Sequence, residues 1–341
     1  MAYLLMEPPG GAVTPTPPTP VDREALKRDC AALAASGVYL GTSSWKYPGW
    51  QGQLYDASRY VYRGKFSESR FERTCLAEYA EVFHTVCVDA AYYTFPNSRG
   101  LGQLAAQVPP DFRFTFKVTD EITVKHFPRH PRFGIRGGTD NSNFLNSELF
   151  ERQFLGPMEA LKQQLGLLIF EFSRFYPSDF KTGREFVSVL DGFLGRLPQG
   201  WPYGVEIRNR TFLVPEYFET LARHGVTHVY NSWESMPSLA EQRAMPGSRT
   251  HPERCGARLL LRPGREYSEA VERFAPYDRV QDENPEIRQA AAELAAETVR
   301  TRDGRTAFVY VNNRLEGNAL ATISGIIAAL IQTGVDFRTA A

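Results

Sequence analysis

Residues 38–48 run Val38-Tyr39-Leu40-Gly41-Thr42-Ser43-Ser44-Trp45-Lys46-Tyr47-Pro48. The stretch opens as an apolar, aromatic run and stops at a serine pair, which reads as a strand ending in a polar turn. The turn decides between two folds. A doubly wound open sheet would place a glycine-rich phosphate turn, G-x-G-x-x-G, after its first strand. Ser43 to Pro48 contains no such motif, so a closed barrel is favoured over an open sheet.

Working outward from Val38–Ser43, seven further runs have the same character: Thr85–Ala90, Phe112–Val118, Gly166–Phe172, Tyr203–Arg208, Val226–Asn231, Ala257–Arg262 and Ala307–Asn312. Helical patterns separate them: Ser67–Phe83, Ser98–Gln107, Ser147–Gln164, Thr182–Leu197, Pro215–Arg223, a weaker Ser238–Ala244, Ser268–Ala275 with Pro285–Arg300, and Asn318–Gln332. Strands alternating with helices predict a parallel sheet of βαβ units. Several runs are apolar throughout, as strands covered on both faces must be. Eight units in roughly 300 residues predict an α/β fold of the (β/α)₈ TIM type, one domain over residues 38–335. Upstream, residues 21–37 predict a helix, with Ala25, Leu26, Cys30 and Leu33 at helical spacing, Asp22 as its cap and Gly37 as its stop. Residues 1–20 are rich in Pro, Thr and Gly and are expected to form a disordered arm.

Two connections exceed ordinary turns: Gly49–Ser67 after the first strand and Thr119–Asn146 after the third. The second holds Gly134, Gly137 and Gly138 among His126, His130 and Arg136. Loops of this length are expected to act as lids or binding loops.

Composition narrows the partners. Lys plus Arg and Asp plus Glu number 39 each in 341 residues, so the formal net charge is zero. A nucleic-acid binder would show a basic excess or stripe, and nucleic-acid partners are therefore not expected. No apolar run approaches a bilayer-spanning length, and Met1–Pro20 lacks the basic-then-apolar pattern of a signal peptide. Cys30, Cys75, Cys87 and Cys255 are scattered, which suits free thiols in a reducing cytoplasm.

In a barrel of this type, polar residues at strand C-termini build the site. The strand ends carry Ser43, Ser44 and Trp45; Asp89 with Tyr92 and Tyr93; Lys117; Glu171; Glu206, Arg208 and Asn209; Asn231; Arg262; and Asn312 with Asn313. Glu206 and Arg208 are two apart and share a face. A carboxylate inside the barrel needs a cation, and Arg208, Lys117 and Arg262 are the available partners. Glu206, Lys117, Asp89 and Glu171 are the candidate acid–base groups. Arg208, Asn209, Arg262, Asn312, Asn313, Trp45, Tyr93 and Asn231 are the candidate substrate-binding residues. Three cations among several amides suit a small polar or anionic molecule, because arginine grips phosphate or carboxylate in a fork. Trp45, Tyr47, Trp50, Tyr92 and Tyr93 together suggest a stacking wall. His126 is a further acid–base candidate from the long loop. Two carboxylates flanking a glycosidic bond would permit hydrolysis. None of the six histidines forms H-x-H or H-E-x-x-H, which disfavours histidine-bound zinc, while carboxylate-bound magnesium stays open.

The motif Gly41-Thr42-Ser43-Ser44-Trp45-x-Tyr47-Pro48-Gly49-Trp50-x-Gly52-x-Leu54-Tyr55 resembles the N-terminal signature of the YecE-like family, domain of unknown function 72. Further matching segments follow in order. They are Leu76–Val86 leading to Tyr92-Tyr93-x-x-Pro96, Phe112-Arg113-Phe114-x-x-Lys117, and Leu165-Gly166-x-Leu168. Val205-Glu206-Ile207-Arg208-Asn209 and Tyr310-Val311-Asn312-Asn313-x-x-x-Gly317-x-Ala319 complete the set. The resemblance spans about residues 38 to 330. It implies a TIM-type barrel and no particular reaction. Departures mark a divergent member. Cys87 and Asp89 replace the glutamate and asparagine of the family's V-E-I-N second strand, Ser44 replaces glycine, Pro263 stands at an expected histidine, and Glu171 at a common glutamine.

Three functions fit these residues. The first is an enzyme, a hydrolase, lyase or isomerase, acting on a small polar or anionic metabolite at the C-terminal mouth. The second is a non-catalytic ligand-binding or scaffold protein on a degenerate barrel, suggested by Cys87 in place of a carboxylate. The third, a phosphodiester-cleaving enzyme, would use a histidine-rich metal cluster that this sequence lacks.

Overall fold

The computed structural model describes residues 21–301 and 304–339. The Pro-rich arm expected over residues 1–20 lies outside them. Eight parallel strands follow one another around a closed barrel: β1 Val38–Thr42, β2 Thr85–Val88, β3 Arg113–Lys117, β4 Leu165–Phe172, β5 Tyr203–Ile207, β6 Thr227–Ser232, β7 Arg254–Leu259 and β8 Thr306–Val311. β1 closes the ring. It pairs with β8 from Val38↔Ala307 to Thr42↔Val311, and with β2 at Thr42↔Val86. The predicted TIM-type barrel is the fold, and helices cover its outer face.

Local signals explain the elements. The first helix, α1 (Arg23–Ala35), starts where the Asp22 side chain accepts from the Ala25 amide at 2.9 Å. It ends at Gly37, whose φ of +82° is a left-handed conformation that glycine adopts without a Cβ penalty. Leu26, Cys30 and Leu33 on its inner face are buried. The last helix, α2 (Ala319–Gln332), is capped by the Asn318 side chain on the Ala321 amide and buries Ile323, Ile326 and Leu330.

Within the barrel, the inward positions alternate by size. Tyr39 stacks on Phe308 with ring centroids 4.9 Å apart, and Cys87, Leu167, Ile169, Val229 and Tyr310 complete an apolar plug. These large side chains fit because small residues face them. A Cβ on Gly166 would come within 2.7 Å of the Phe308 ring. Tyr310 donates to Thr115 Oγ1 at 2.6 Å, which satisfies the hydroxyls at the plug's centre. Each large apolar side chain so buried contributes about 1.5–3 kcal/mol. The plug shuts the barrel floor, so a ligand of the mouth must approach from the strand C-termini.

Two predicted elements differ from the observed ones. The helix expected over Ser147–Gln164 is broken into Ser147–Phe150, a wide turn over Glu151–Leu155, Gly156–Met158 and a tight final turn Glu159–Gln164. Pro157 has no amide to donate to Gln153, so the regular ladder cannot run through it. The seventh strand lies three residues earlier than expected, at Arg254–Leu259. The apolar triplet Leu259-Leu260-Leu261 suggested a later strand. The Leu260 and Leu261 amides instead bond the Ser232 hydroxyl and carbonyl at 2.9 Å each, as the chain leaves the sheet.

The long connections also divide. In Gly49–Ser67, Trp50, Tyr55 and Tyr60 are buried around Phe71, and the Tyr60 hydroxyl donates to Glu78 at 2.6 Å. That segment is a packed buttress. Thr119–Asn146 overhangs the barrel mouth. It is pinned by the Asn141 amide, which donates to the Glu121 and Val124 carbonyls at 2.8 and 2.7 Å. Among the described residues all four cysteines are buried and unpaired, and no helix is long and apolar enough to cross a membrane.

Candidate active site at the barrel mouth

Glu171 on β4 and Glu206 on β5 are direct register partners, so the shared pleat turns two carboxylates inward side by side. Both are buried, Glu206 completely. Two adjacent anions without water are untenable unless cations hold them, and three do. Lys117 Nζ lies 2.5 Å from Glu171 Oε2. Arg208 spans the pair, with Nη2 2.9 Å from Glu171 and Nε 3.1 Å from Glu206. Arg258 Nη1 lies 3.1 Å from Glu171 and 2.8 Å from Glu206, while its Nη2 reaches Asp89 at 3.2 Å. Asp89, Glu171 and Glu206 thus balance Lys117, Arg208 and Arg258.

Burial alone would raise the Glu171 pKa, but Arg208, Lys117 and Arg258 overcome it and hold the carboxyl well below the usual range. Burial likewise disfavours the charged Arg258 guanidinium, and Glu206 with Asp89 more than compensate. Glu171 is therefore a fixed anion at neutral pH. It cannot act as a general acid, and it has to be freed from three cations before it can act as a base. Two carboxylates clasped by the same pair of arginines also do not face a glycosidic bond from opposite sides, so the glycosidase reading loses its geometric basis.

Above this layer lies a cavity of about 510 Å³. One wall is the Lys125–Phe133 part of the long loop, the other is Ser173–Asp179 after β4, and Tyr92, Arg208 and Trp233 are also in the lining. Arg208 connects the layers: its guanidinium stacks 3.8 Å from the Trp233 ring while bonding both glutamates. Lys117 Nζ lies 3.7 Å from the centre of the Tyr92 ring. Burial, then the nearby Glu171, push the Tyr92 phenol up to about 12, so it stays a hydrogen-bond donor. Arg132 pairs with Asp120 at 2.5 Å and lies 4.8 Å from the Tyr93 ring. Lys125 donates to the Asp179 carbonyl, and Arg174 makes no ion pair among the described residues. His126 lies in the same wall, 3.0 Å from Asp140.

The structure brings Asp89, Lys117, Glu171, Glu206 and Arg208 together and disperses the others. Arg262 is outside the cluster. Its side chain is 48% exposed and pairs with Asp282 at 2.9 Å, because the earlier end of β7 leaves it beyond the mouth. Asn209 clasps the Phe175 backbone through both ends of its amide, at 2.8 and 2.9 Å. Asn312 caps the Arg314 amide and Asn313 the Ala319 amide, at 3.0 and 2.7 Å. Asn231 donates to the Ile207 carbonyl at 3.1 Å. These asparagines shape loops around the mouth. Trp45 and Trp50 are buried and Tyr47 packs on Trp50, so the suggested aromatic wall reduces to Tyr92 and Tyr93. Sequence reasoning missed Arg258, Arg132, Arg174, Lys125 and Trp233. Arg258 had one available signal: it lies two residues after Gly256, on the face that Glu206 must look across.

Among the described residues no group of three His, Cys, Asp or Glu is spaced to hold a metal ion. Each inner carboxylate is already engaged by a guanidinium or an ammonium.

Residues 39–340 match the family model described as "Protein of unknown function DUF72". No curated protein matches the chain. Solved structures share the fold, two of them as follows. A DUF72 family protein from Enterococcus faecalis V583 is 18% identical, with 86% of this chain and 95% of that chain covered and a TM-score of 0.58. One from Thermotoga maritima MSB8 is 21% identical, with 87% and 99% covered and a TM-score of 0.51. The signatures read from the strand ends, the closed barrel and a family match over nearly the whole described chain agree: this protein belongs to the DUF72 family.

Proposed function

We propose that this barrel is an enzyme that binds a small anionic metabolite at its C-terminal mouth. The observation carrying this reading is the charge of the cavity lining. Lys125, Arg132, Arg174 and Arg208 stand against Asp179, the one carboxylate in the lining among the described residues. Arginine forks and a lysine in a partly enclosed pocket suit phosphate or carboxylate groups. The lining aromatics Tyr92, Phe133, Tyr176 and Trp233 suit an apolar or planar remainder.

The chemistry this supports is charge stabilisation. Lys117 and Arg208 are fixed by Glu171 and Glu206, so they would present positive charge without reorganising as an oxyanion or enolate develops above them. Tyr92, protonated and in the cavity wall, is the best-placed donor, and His126 is the proton carrier of the loop. A lyase or isomerase that forms an anion next to a carboxylate or phosphate fits this arrangement better than a hydrolase needing free carboxylates. The non-catalytic reading is favoured by one specific observation, the full engagement of every inner carboxylate.

The test is a melting-temperature screen against phosphorylated, carboxylated and neutral sugar metabolites. A ligand that binds only the native state adds ~2.7 kcal/mol at a hundredfold excess over its Kd. Anionic compounds should raise the Tm, and Arg208→Met and Arg174→Met should abolish the rise. Stabilisation by neutral compounds alone, or a shift retained in both variants, would overturn the assignment. With a ligand in hand, turnover separates the enzyme from the binding protein.

A further inference from the structure

A second cavity, of about 290 Å³, opens at the opposite end of the barrel, where β5, β6 and β7 begin. Arg254, His251, His224, Trp201 and Gln199 supply its polar lining, and among the described residues that lining has no carboxylate. A guanidinium partly removed from water normally finds an acid. Arg254 makes no ion pair among the described residues, and its Nε is buried without a hydrogen-bond partner. Glu253, the preceding residue, is exposed and forms no ion pair with Arg254, and Asp191 is taken up by His224 Nε2 at 2.7 Å and Arg223 at 3.1 Å.

The histidine beside Arg254 strengthens the case. His251 is 8% exposed, and its Nδ1 accepts the Glu253 and Arg254 amides at 3.1 Å each. That ring nitrogen is unprotonated, so the neutral imidazole carries its proton on Nε2. Arg254 Nη2 lies 2.7 Å from this same Nε2. The guanidinium and the imidazole edge therefore lie together at the pocket wall, with the Arg254 Nε left without an acceptor. Trp201 and Gln199 have no side-chain hydrogen-bond partner among the described residues, which adds an indole N–H and an amide to the donor set.

We propose that this pocket is a binding site for a compact tetrahedral oxyanion, phosphate or the phosphoryl group of a small phosphomonoester, held chiefly by Arg254. An oxyanion supplies what the pocket lacks: a negative charge for the guanidinium and several acceptor oxygens for converging donors. It lies on the face where barrels keep stabilising rather than reacting residues, so it is a binding site separate from the mouth.

The test titrates the full chain with inorganic phosphate and, separately, methyl phosphate, followed by calorimetry. Both proposed sources should bind saturably at a site that persists in Arg208→Met if the phosphoryl group is the recognised unit. Tighter binding of methyl phosphate identifies an ester ligand, and binding of inorganic phosphate alone identifies the free ion. Arg254→Met should weaken binding roughly tenfold or more, and Trp201→Phe about threefold. Arg208→Met, at the mouth, should leave it unchanged. If Arg254→Met fails to fold, Trp201→Phe and Gln199→Leu carry the test. The proposal is overturned if neither compound binds saturably. It is equally overturned if the Arg254, Trp201 and Gln199 substitutions leave affinity untouched, or if Arg208→Met abolishes it.

Discussion

Replacing Arg258 by Met keeps the length and volume of the aliphatic stem and removes one charge from the barrel's centre. In the native protein that guanidinium touches Glu206 at 2.8 Å, Glu171 at 3.1 Å and Asp89 at 3.2 Å. After the change Glu171 retains Lys117 and Arg208, Glu206 retains only Arg208, and Asp89 loses its ion pair, so the cluster carries one uncompensated negative charge. Leaving a buried charge unpaired costs about 3–5 kcal/mol. The partial exposure of Asp89 allows water to screen its share, which places the expected loss near the lower end, at about 3 kcal/mol. The second variant, Glu206→Gln with Arg258→Met, restores neutrality. It should be more stable than the sum of the two single changes by about 1–3 kcal/mol, the coupling expected of contacting residues. Urea unfolding followed by circular dichroism and tryptophan fluorescence measures both. If Arg258→Met costs less than about 1 kcal/mol, or if the two changes simply add, charge balance does not hold this layer together and the electrostatic account is wrong.

Further outcomes follow from the same geometry. Burial lowers the His228 pKa to about 3, whereas the unfolded chain protonates near pH 6.5. Unfolded protein therefore binds a proton that folded protein refuses, and stability should fall by about 1.4 kcal/mol per unit as pH drops from 6.5 towards 3. His228→Gln should flatten that slope; an unchanged acid limb would show that the histidine finds a proton acceptor or water in the folded state. The Glu171 carboxyl, held below its ordinary value, contributes stability that is full above about pH 4.3 and is lost as pH falls further, so Glu171→Gln should change only the lower part of the curve. Gly41→Ala places a methyl group against the Thr85 carbonyl, backbone that cannot swing aside, and should cost roughly 2–3 kcal/mol in urea unfolding. Arg262→Ala, at a site 48% exposed, should leave ligand-induced stabilisation intact where Arg208→Met removes it, and the reverse pattern would move the site to the other side of the mouth.

Much of this protein was legible from patterns with a short range. Alternating strand and helix periods identify a parallel α/β chain, and the turn after Val38–Thr42 excludes a nucleotide-type phosphate loop. Caps at Asp22 and Asn318 announce their helices because the groups that satisfy a helix end lie within three residues of it. Glu206 and Arg208 could be placed on one face because a strand repeats every two residues. The seventh strand shows the limit. Its apolar triplet Leu259-Leu260-Leu261 looked like barrel interior, yet a three-residue shift reverses which arginine faces inward. Only pairing with β6 and β8 decides that register.

What the sequence by itself determined is the kind of fold, the order of its eight strands, and an excess of polar residues at their C-terminal ends. These depend on hydrophobic period and turn chemistry, both of which are local. Tertiary structure alone decided which of those residues form a site. The cluster of Lys117, Glu171, Glu206, Arg208 and Arg258 is drawn from more than a hundred residues of chain, and apart from Glu206 with Arg208 its contacts exist only because the barrel sets strand against strand. The lining of the mouth by Arg132, Arg174 and Trp233 has the same origin. It is created where loops from different βα units meet, at distances no sequence period encodes.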